Sequence, residues 1–272
     1  MRSDITNFRR IIEQRKLNIL EYLYKYLFLK DNLMSDFEFK ITRDGGLARI
    51  DLNRPDEGNA LTRAMMLQLS ATLRDLGSQP DVHVVTLEGR GKQFCRGRDG
   101  KGESRAGMTP YEVRQKMMGA VLDVYQAVAD VPVPVVALVH ADALGFGCAT
   151  AVGCDITLAA SNARFAFPEI EHDIPPTMAM CAALGKVQAK ALTYLIYSAD
   201  SVSANEAVTL GLASKVLPQA TFATDSDAFL KKLAGRPRLI LETIKKYQAK
   251  ASQLTPDMTS EYAGTLLALV RS

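Results

Sequence analysis

The sequence predicts an α/β body followed by a helical C-terminal part. Three observations carry this. Short β-branched runs (residues 82–87 and 134–140) alternate with segments of helical periodicity, glycine-rich loops follow the strands, and the pattern beyond Gly185 reads as helical. With 272 residues, 47% of them hydrophobic and 23% charged, the chain can bury a sizeable core. No linker rich in Gly, Ser or Pro divides it. The most apolar stretch, residues 131–144, is short and broken by Pro132, Pro134, His140 and Asp142, so no membrane span is expected.

In chain order, residues 1–33 read as an N-terminal helical extension. Ile11, Ile12, Ile19, Leu20, Leu23 and Leu27 form an apolar stripe with basic residues between them. Glu21, Lys25 and Lys30 and the lack of a small-residue cleavage site argue against a secretory signal, and four acids count against a mitochondrial presequence. The segment reads as an appended helix or an upstream start before Met34, with docking to a membrane surface or a partner as the other reading. A body of residues 34–200 and a helical region of residues 201–272 are expected to follow.

Phe37, Phe39 and Ile41 alternate, residues 44–46 (Asp-Gly-Gly) supply a turn, and Ala48, Ile50 and Leu52 alternate again, which predicts a β-hairpin. Met65, Met66, Leu69, Leu73 and Leu76 are spaced for a helix over residues 62–77, and residues 82–87 form a strand ending in a glycine-rich loop over 88–100. Thr109, Pro110 and Glu112 open a second helix with a capping box, running to about Asp130. Residues 134–140 are a strand, followed by Gly145-Phe146-Gly147, a small-residue helix and a buried strand over 155–159. Ser203 with Glu206 caps a helix that Gly211 stops, and Thr255-Pro256 starts the last one.

The net charge of +3 resides wholly in residues 1–33, which hold seven basic against four acidic residues. A neutral body gives no basic face for nucleic acid. Cys95, Cys148, Cys154 and Cys181 form no CxxC pair and have no histidine at ligand spacing, which argues against zinc and for reduced thiols in a cytoplasmic compartment. His83 and His140 sit in apolar runs and read as strand residues.

Three loops combine glycine with an unusual neighbour. In residues 94–100 (Phe-Cys-Arg-Gly-Arg-Asp-Gly), Gly97 permits a turn that aims consecutive amides into one space, as an oxyanion or phosphate requires; a ligand-free tight turn gives the same pattern. In residues 143–149 (Ala-Leu-Gly-Phe-Gly-Cys-Ala), a strand passes through two glycines into a helix start whose free amides suit developing negative charge; close helix–strand packing is the other reading. In residues 165–170 (Phe-Ala-Phe-Pro-Glu-Ile), Glu169 follows a proline among apolar residues. Desolvation there raises a carboxyl pKa toward a proton-transfer role, whereas a solvated turn glutamate has none.

Taken together, Asn53-Arg54-Pro55, Asn59-Ala60-Leu61, the 94–99 loop, residues 143–148, Cys154-Asp155, residues 165–169 and residues 203–218 (SANEAVTLGLASKVLP) resemble the signatures of the crotonase (enoyl-CoA hydratase/isomerase) superfamily, in order and at similar spacing. The likeness covers about residues 36–220. It implies a spiral of ββα units with a helical C-terminal trimerisation region, a homotrimer or hexamer, an acyl-CoA thioester as substrate, and no cofactor or metal beyond the substrate's own coenzyme A moiety.

The resemblance also implies roles. The family's two oxyanion amides fall on the backbone N–H groups of Arg98 and Phe146, the second position being usually glycine. Glu57, Arg96, Gly97, Arg98, Asp99, Gly100, Gly145 and Phe146 are the implied coenzyme A and substrate contacts, with Arg96 and Arg98 at the nucleotide entrance. Of the hydratases' two carboxylates, one matches Glu169. The other falls on Ala149, which cannot hold water as a carboxylate does. A single base is the arrangement of the family's double-bond isomerases and of some hydratase-lyases. Isomerisation of an enoyl-CoA is therefore the leading expectation, with single-glutamate hydration or lyase chemistry next, decarboxylation third, and a non-catalytic CoA-binding scaffold as the rival from another class. Asp142, His172 and Asp173 are candidate auxiliary acid/base groups, or else solvated loop residues.

Overall fold

The computed structural model describes residues 39–271, and the helical extension expected over residues 1–33 lies outside them. The chain opens with the hairpin β1 (Phe39–Asp44) and β2 (Leu47–Leu52), antiparallel with Ile41 opposite Ile50. Helix α1 (Arg63–Ser78) follows, its first turn capped by the Thr62 hydroxyl, which accepts from the Met65 N–H. Then come β3 (Val84–Gly89), β4 (Gln93–Cys95) and α2 (Pro110–Val113). A π-helical segment (Arg114–Met118) joins α2 to α3 (Gly119–Asp130). Next are β5 (Val135–Val139), β6 (Asp142–Leu144), α4 (Phe146–Gly153), β7 (Ile156–Ala160) and β8 (Arg164–Ala166). The remainder comprises α5 (Thr177–Ala183), α6 (Ala189–Ser198), β9 (Val202–Ser203), α7 (Ala204–Leu210), β10 (Lys215–Leu217), α8 (Phe222–Ala234), α9 (Arg238–Ala251) and α10 (Pro256–Arg271).

The strands form two sheets. A six-stranded sheet runs β1-β2-β3-β5-β7-β10 and is parallel except for the hairpin; a four-stranded one runs β4-β6-β8-β9. Every residue of β5 is buried, as expected for a central parallel strand covered on both faces. Its alternation sorts the core in two. Val135, Ala137 and Val139 join Ile50, Val85 and Leu87 in a cluster with Leu69 and Leu73 of α1 and Val121, Val124 and Val128 of α3. Val136 and Leu138 join Val84 and Leu158 in a second cluster, covered by Phe222 and Leu230 of α8 and Leu241 of α9. Each such valine, leucine, isoleucine or phenylalanine contributes about 1.5–3 kcal/mol by leaving water.

Three features depart from the sequence reading. The second sheet is made of strands of two or three residues, too short to show a period of two. β9 and β10 lie within the stretch read as helical, and β10 extends the main sheet by pairing with β7, Val216 opposite Ala159. The helix expected from Thr109 to Asp130 contains the π-helical segment, although its capping box is present as read. Both Ser203–Glu206 capping and the left-handed stop at Gly211 (φ 92°) also appear as expected.

Candidate active site

The loop after β4 is pinned at both ends. The Leu61 N–H donates to Gly97 O (3.0 Å) and the Asp99 N–H to Leu61 O (2.8 Å). Beneath it, the Asn59 carboxamide donates to Arg90 O and Gln93 O, both at 2.8 Å. Gly97 has φ of +113°, which a side chain would strain. Between these anchored residues, the Arg98 N–H has no hydrogen-bond acceptor among the described residues.

The loop after β6 turns at Gly145, φ +54°, whose N–H donates to Ala166 O (2.9 Å). The Ala149 N–H donates to Gly145 O (2.9 Å), so α4 begins here and the Phe146 N–H, at its first residue, has no intrahelical acceptor. The two loops touch: a Cβ added to Gly97 would lie 3.2 Å from Leu144 O and 3.5 Å from Phe146 N. Two N–H groups without an acceptor among the described residues thus stand on adjoining strand ends, the second reinforced by the positive end of α4.

The third loop, a 3-10 turn (Pro168–His172) after β8, brings Glu169 to the same place. A Cβ on Gly145 would lie 3.1 Å from Glu169 Oε1, so the carboxylate rests on the glycine turn. Oε2 is buried with no hydrogen-bond partner among the described residues. Burial pushes the Glu169 carboxyl above the usual range, against smaller opposing effects from its own backbone N–H and from His172. Neighbouring thiols do not compete as bases. Burial raises Cys95 to about 12 and holds Cys148 well above an ordinary thiol.

These groups line a cavity of about 300 Å³. Of the residues singled out from sequence, it brings together Arg96, Gly97, Arg98, Gly145, Phe146, Glu169 and His172. It leaves out five. Glu57 is exposed with its carboxylate 3.8 Å from Arg54, Asp99 pairs with Arg54 at 3.3 Å, and Gly100 is exposed without touching the cavity. Asp142 sits in β6 opposite Gln93, and Asp173 is the left-handed residue (φ 56°) that caps the end of the 3-10 turn. The Arg98 guanidinium is engaged by Glu103, whereas Arg96 and Arg105, both exposed, have no carboxylate partner among the described residues. Ala149 is fully buried and not part of the cavity wall.

Sequence reasoning missed the opposite wall: Met118, Val121 and Tyr125 from the π segment and α3, and Ile174, Met178 and Ala179 around the start of α5. Met118, Val121 and Tyr125 fall at helical spacing, and that stripe was the available signal. Among the described residues no cluster of three or more His, Cys, Asp or Glu side chains could hold a metal ion, and no helix is long and apolar enough to cross a membrane.

A family model described as enoyl-CoA hydratase/isomerase matches residues 42–266. The chain belongs to that family. Within it, the chain is 32% identical over 202 residues to a crotonyl-CoA hydratase of Syntrophomonas wolfei, covering 72% of this chain and 74% of the relative. It is 28% identical to a short-chain-enoyl-CoA hydratase of Clostridium acetobutylicum, covering 76% and 78%. An enoyl-CoA hydratase structure from Mycobacterium smegmatis superposes with a TM-score of 0.80 at 30% identity, covering 85% of this chain and 90% of that one. The fold is therefore that of the crotonase superfamily, and this enoyl-CoA hydratase/isomerase family member is an enzyme of that class.

Proposed function

We propose that the protein binds an acyl-CoA thioester with its carbonyl oxygen between the N–H groups of Arg98 and Phe146. Glu169 then removes a proton from the α carbon. The negative charge passes to the thioester oxygen, where two fixed donors and the end of α4 stabilise it. Returned at the γ carbon by the same carboxyl, the proton leaves the double bond shifted, so one base serves both steps. Isomerisation of an enoyl-CoA is the leading reaction. The observation that carries it is that, among the described residues, Glu169 is the sole carboxylate on the cavity wall, while Ala149 is fully buried and outside that wall.

Hydration or a hydratase-lyase reaction is the second reading, favoured by the names of the relatives, crotonyl-CoA hydratase and short-chain-enoyl-CoA hydratase. Coenzyme A is met by the cations Arg96 and Arg105 on the cavity wall, which have no carboxylate partner among the described residues; Arg98, held by Glu103, contributes its amide. The thiols fit a reducing, cytoplasmic setting. Assembly into a trimer or hexamer is supported by an apolar groove of about 260 Å³ between α9 and α10.

The test is α-proton exchange in D₂O with a panel of saturated and unsaturated acyl-CoA thioesters, followed by product analysis. Exchange with double-bond migration supports isomerisation; rapid addition of water without migration transfers the assignment to hydration. Binding without any exchange, in wild type as in Glu169→Gln, would leave a CoA-binding scaffold.

A further inference from the structure

Burial rises along the cavity in one direction. Arg96, Arg105, His172 and Ile174 are exposed, Ile174 to 47%, and mark its mouth. Phe146, Val121 and Ala179 keep only 6%, 2% and 4% of their surface and mark its inner end. Behind that end α3 packs on both α4 and α5, and Val124, Cys148 and Ala149 are fully buried. Tyr125 of α3 and Phe146 of α4 both line the cavity, and their rings stack with centroids 5.8 Å apart and planes at 28°. Two stacked rings hold each other in place, so the pair is a firm wall.

We infer that the stacked pair of Tyr125 and Phe146 is the stop of the acyl pocket and restricts the substrate to short-chain acyl-CoA thioesters. The inference rests on the thioester orientation proposed above and names the substrate class for that site. With coenzyme A at the mouth, where the cations lie, the acyl chain runs toward the inner end. Covalent geometry fixes how soon it meets a ring. Phe146 carries one of the two N–H groups that receive the carbonyl oxygen, and its ring centre can stand no farther than about 5 Å from that nitrogen. The acyl chain starts at this carbonyl, so its first few carbons reach the Phe146 ring and the Tyr125 ring stacked on it. Val121 and Ala179 close the sides, which makes the inner end apolar as well as shallow. In an open apolar pocket each added methylene tightens binding about 3- to 4-fold by leaving water. Against a packed wall it must displace a ring or stay in water, and affinity falls.

The test is the affinity of the full chain for butyryl-CoA and octanoyl-CoA, measured by calorimetry. Wild type should bind octanoyl-CoA about 10-fold more weakly than butyryl-CoA. Tyr125→Ala removes one ring of the stop, and Phe146→Ala removes the other while keeping its N–H. Each should move the ratio of the two affinities about 10-fold in favour of octanoyl-CoA. Tyr125→Phe keeps the ring and should keep the wild-type ratio, which separates the bulk of the ring from its hydroxyl. Octanoyl-CoA bound by wild type as tightly as butyryl-CoA, or more tightly, overturns the length limit and sends the chain out past Met118 and Ile174. A ratio unmoved in both alanine variants, each with wild-type circular dichroism, overturns the assignment of the stop to this pair. The wild-type comparison decides the length limit even where a ring-deleted chain fails to fold. These are equilibrium measurements and do not depend on turnover. A butyryl-CoA that binds selectively yet exchanges no α proton would remove the proton-transfer reading of Glu169 and leave the length limit standing.

Discussion

Burial pushes the Glu169 carboxyl above the usual carboxylate range and leaves Oε2 without a hydrogen-bond partner among the described residues, so the ionised form that a base needs is the form that folding disfavours. A carboxyl whose pKa is raised in the folded state contributes stability that is fully present below its unfolded value, about 4.3, and is lost as pH rises through the folded value. Glu169→Gln should therefore melt about 1–3 °C above wild type at pH 7.5, with the gap closing toward pH 4, as followed by circular dichroism. Turnover of an exchanging thioester by the same variant should fall about 100-fold or more with little change in CoA affinity. A variant less stable than wild type at pH 7.5 would show that the carboxylate is well solvated. At the entrance, Arg96 has no carboxylate partner among the described residues. Arg96→Ala should then weaken CoA binding about 3- to 10-fold and flatten its salt dependence, measured by calorimetry at two ionic strengths.

Helix ends and short strands differ in how much of their cause is local. Thr109 with Glu112 and Ser203 with Glu206 form their capping boxes from residues three apart, so both helix starts were legible in the sequence. The second sheet was not. Its pairs join segments far apart in the chain, Cys95 with Ala143, Ala143 with Phe165 and Phe165 with Val202, and no strand is long enough to carry a pattern. The way α9 is tied to the body was equally hidden. Lys245 is buried and its ammonium donates to Val128 O (2.9 Å), Val133 O (3.1 Å) and Asp155 Oδ2 (2.7 Å), the last also accepting from the Val135 N–H (2.8 Å). This one side chain satisfies carbonyls of the last turn of α3 and of the segment leading into β5. Lys245→Met should cost about 3 kcal/mol in urea unfolding, because it leaves Asp155 without its cation and two carbonyls without a donor. Loss of less than about 0.5 kcal/mol would mean that water replaces the ammonium at no cost.

At the scale of the molecule, the near half of the site was legible because glycine at 97 and 145 and proline before Glu169 mark backbone turns that side-chain patterning alone does not explain. The far wall was not, since Met118, Val121 and Tyr125 give the same helical stripe whether it faces core or cavity. The exposed apolar face of α9 and α10 poses that ambiguity at larger scale. Its groove is lined by Ile240, Ile244, Tyr247, Leu266 and Leu267, and Ile244 and Leu267 are 53% and 56% exposed in the single chain. Helices α9 and α10 pack on each other, with Tyr247 and Tyr262 stacked at 6.0 Å, so the groove is a formed surface rather than a frayed end. A contiguous exposed apolar surface of this kind is the usual mark of an interaction site, and a second copy is the partner implied by the proposed trimer. Charge placed there should oppose assembly without harming the protomer, because both positions already meet solvent. Ile244→Glu with Leu267→Glu is expected to convert trimers into monomers in sedimentation velocity while secondary structure by circular dichroism stays as in wild type. A wild-type protein that sediments as a monomer at micromolar concentration would remove the trimer from the proposal, and a double variant that remains trimeric would move the interface to another face.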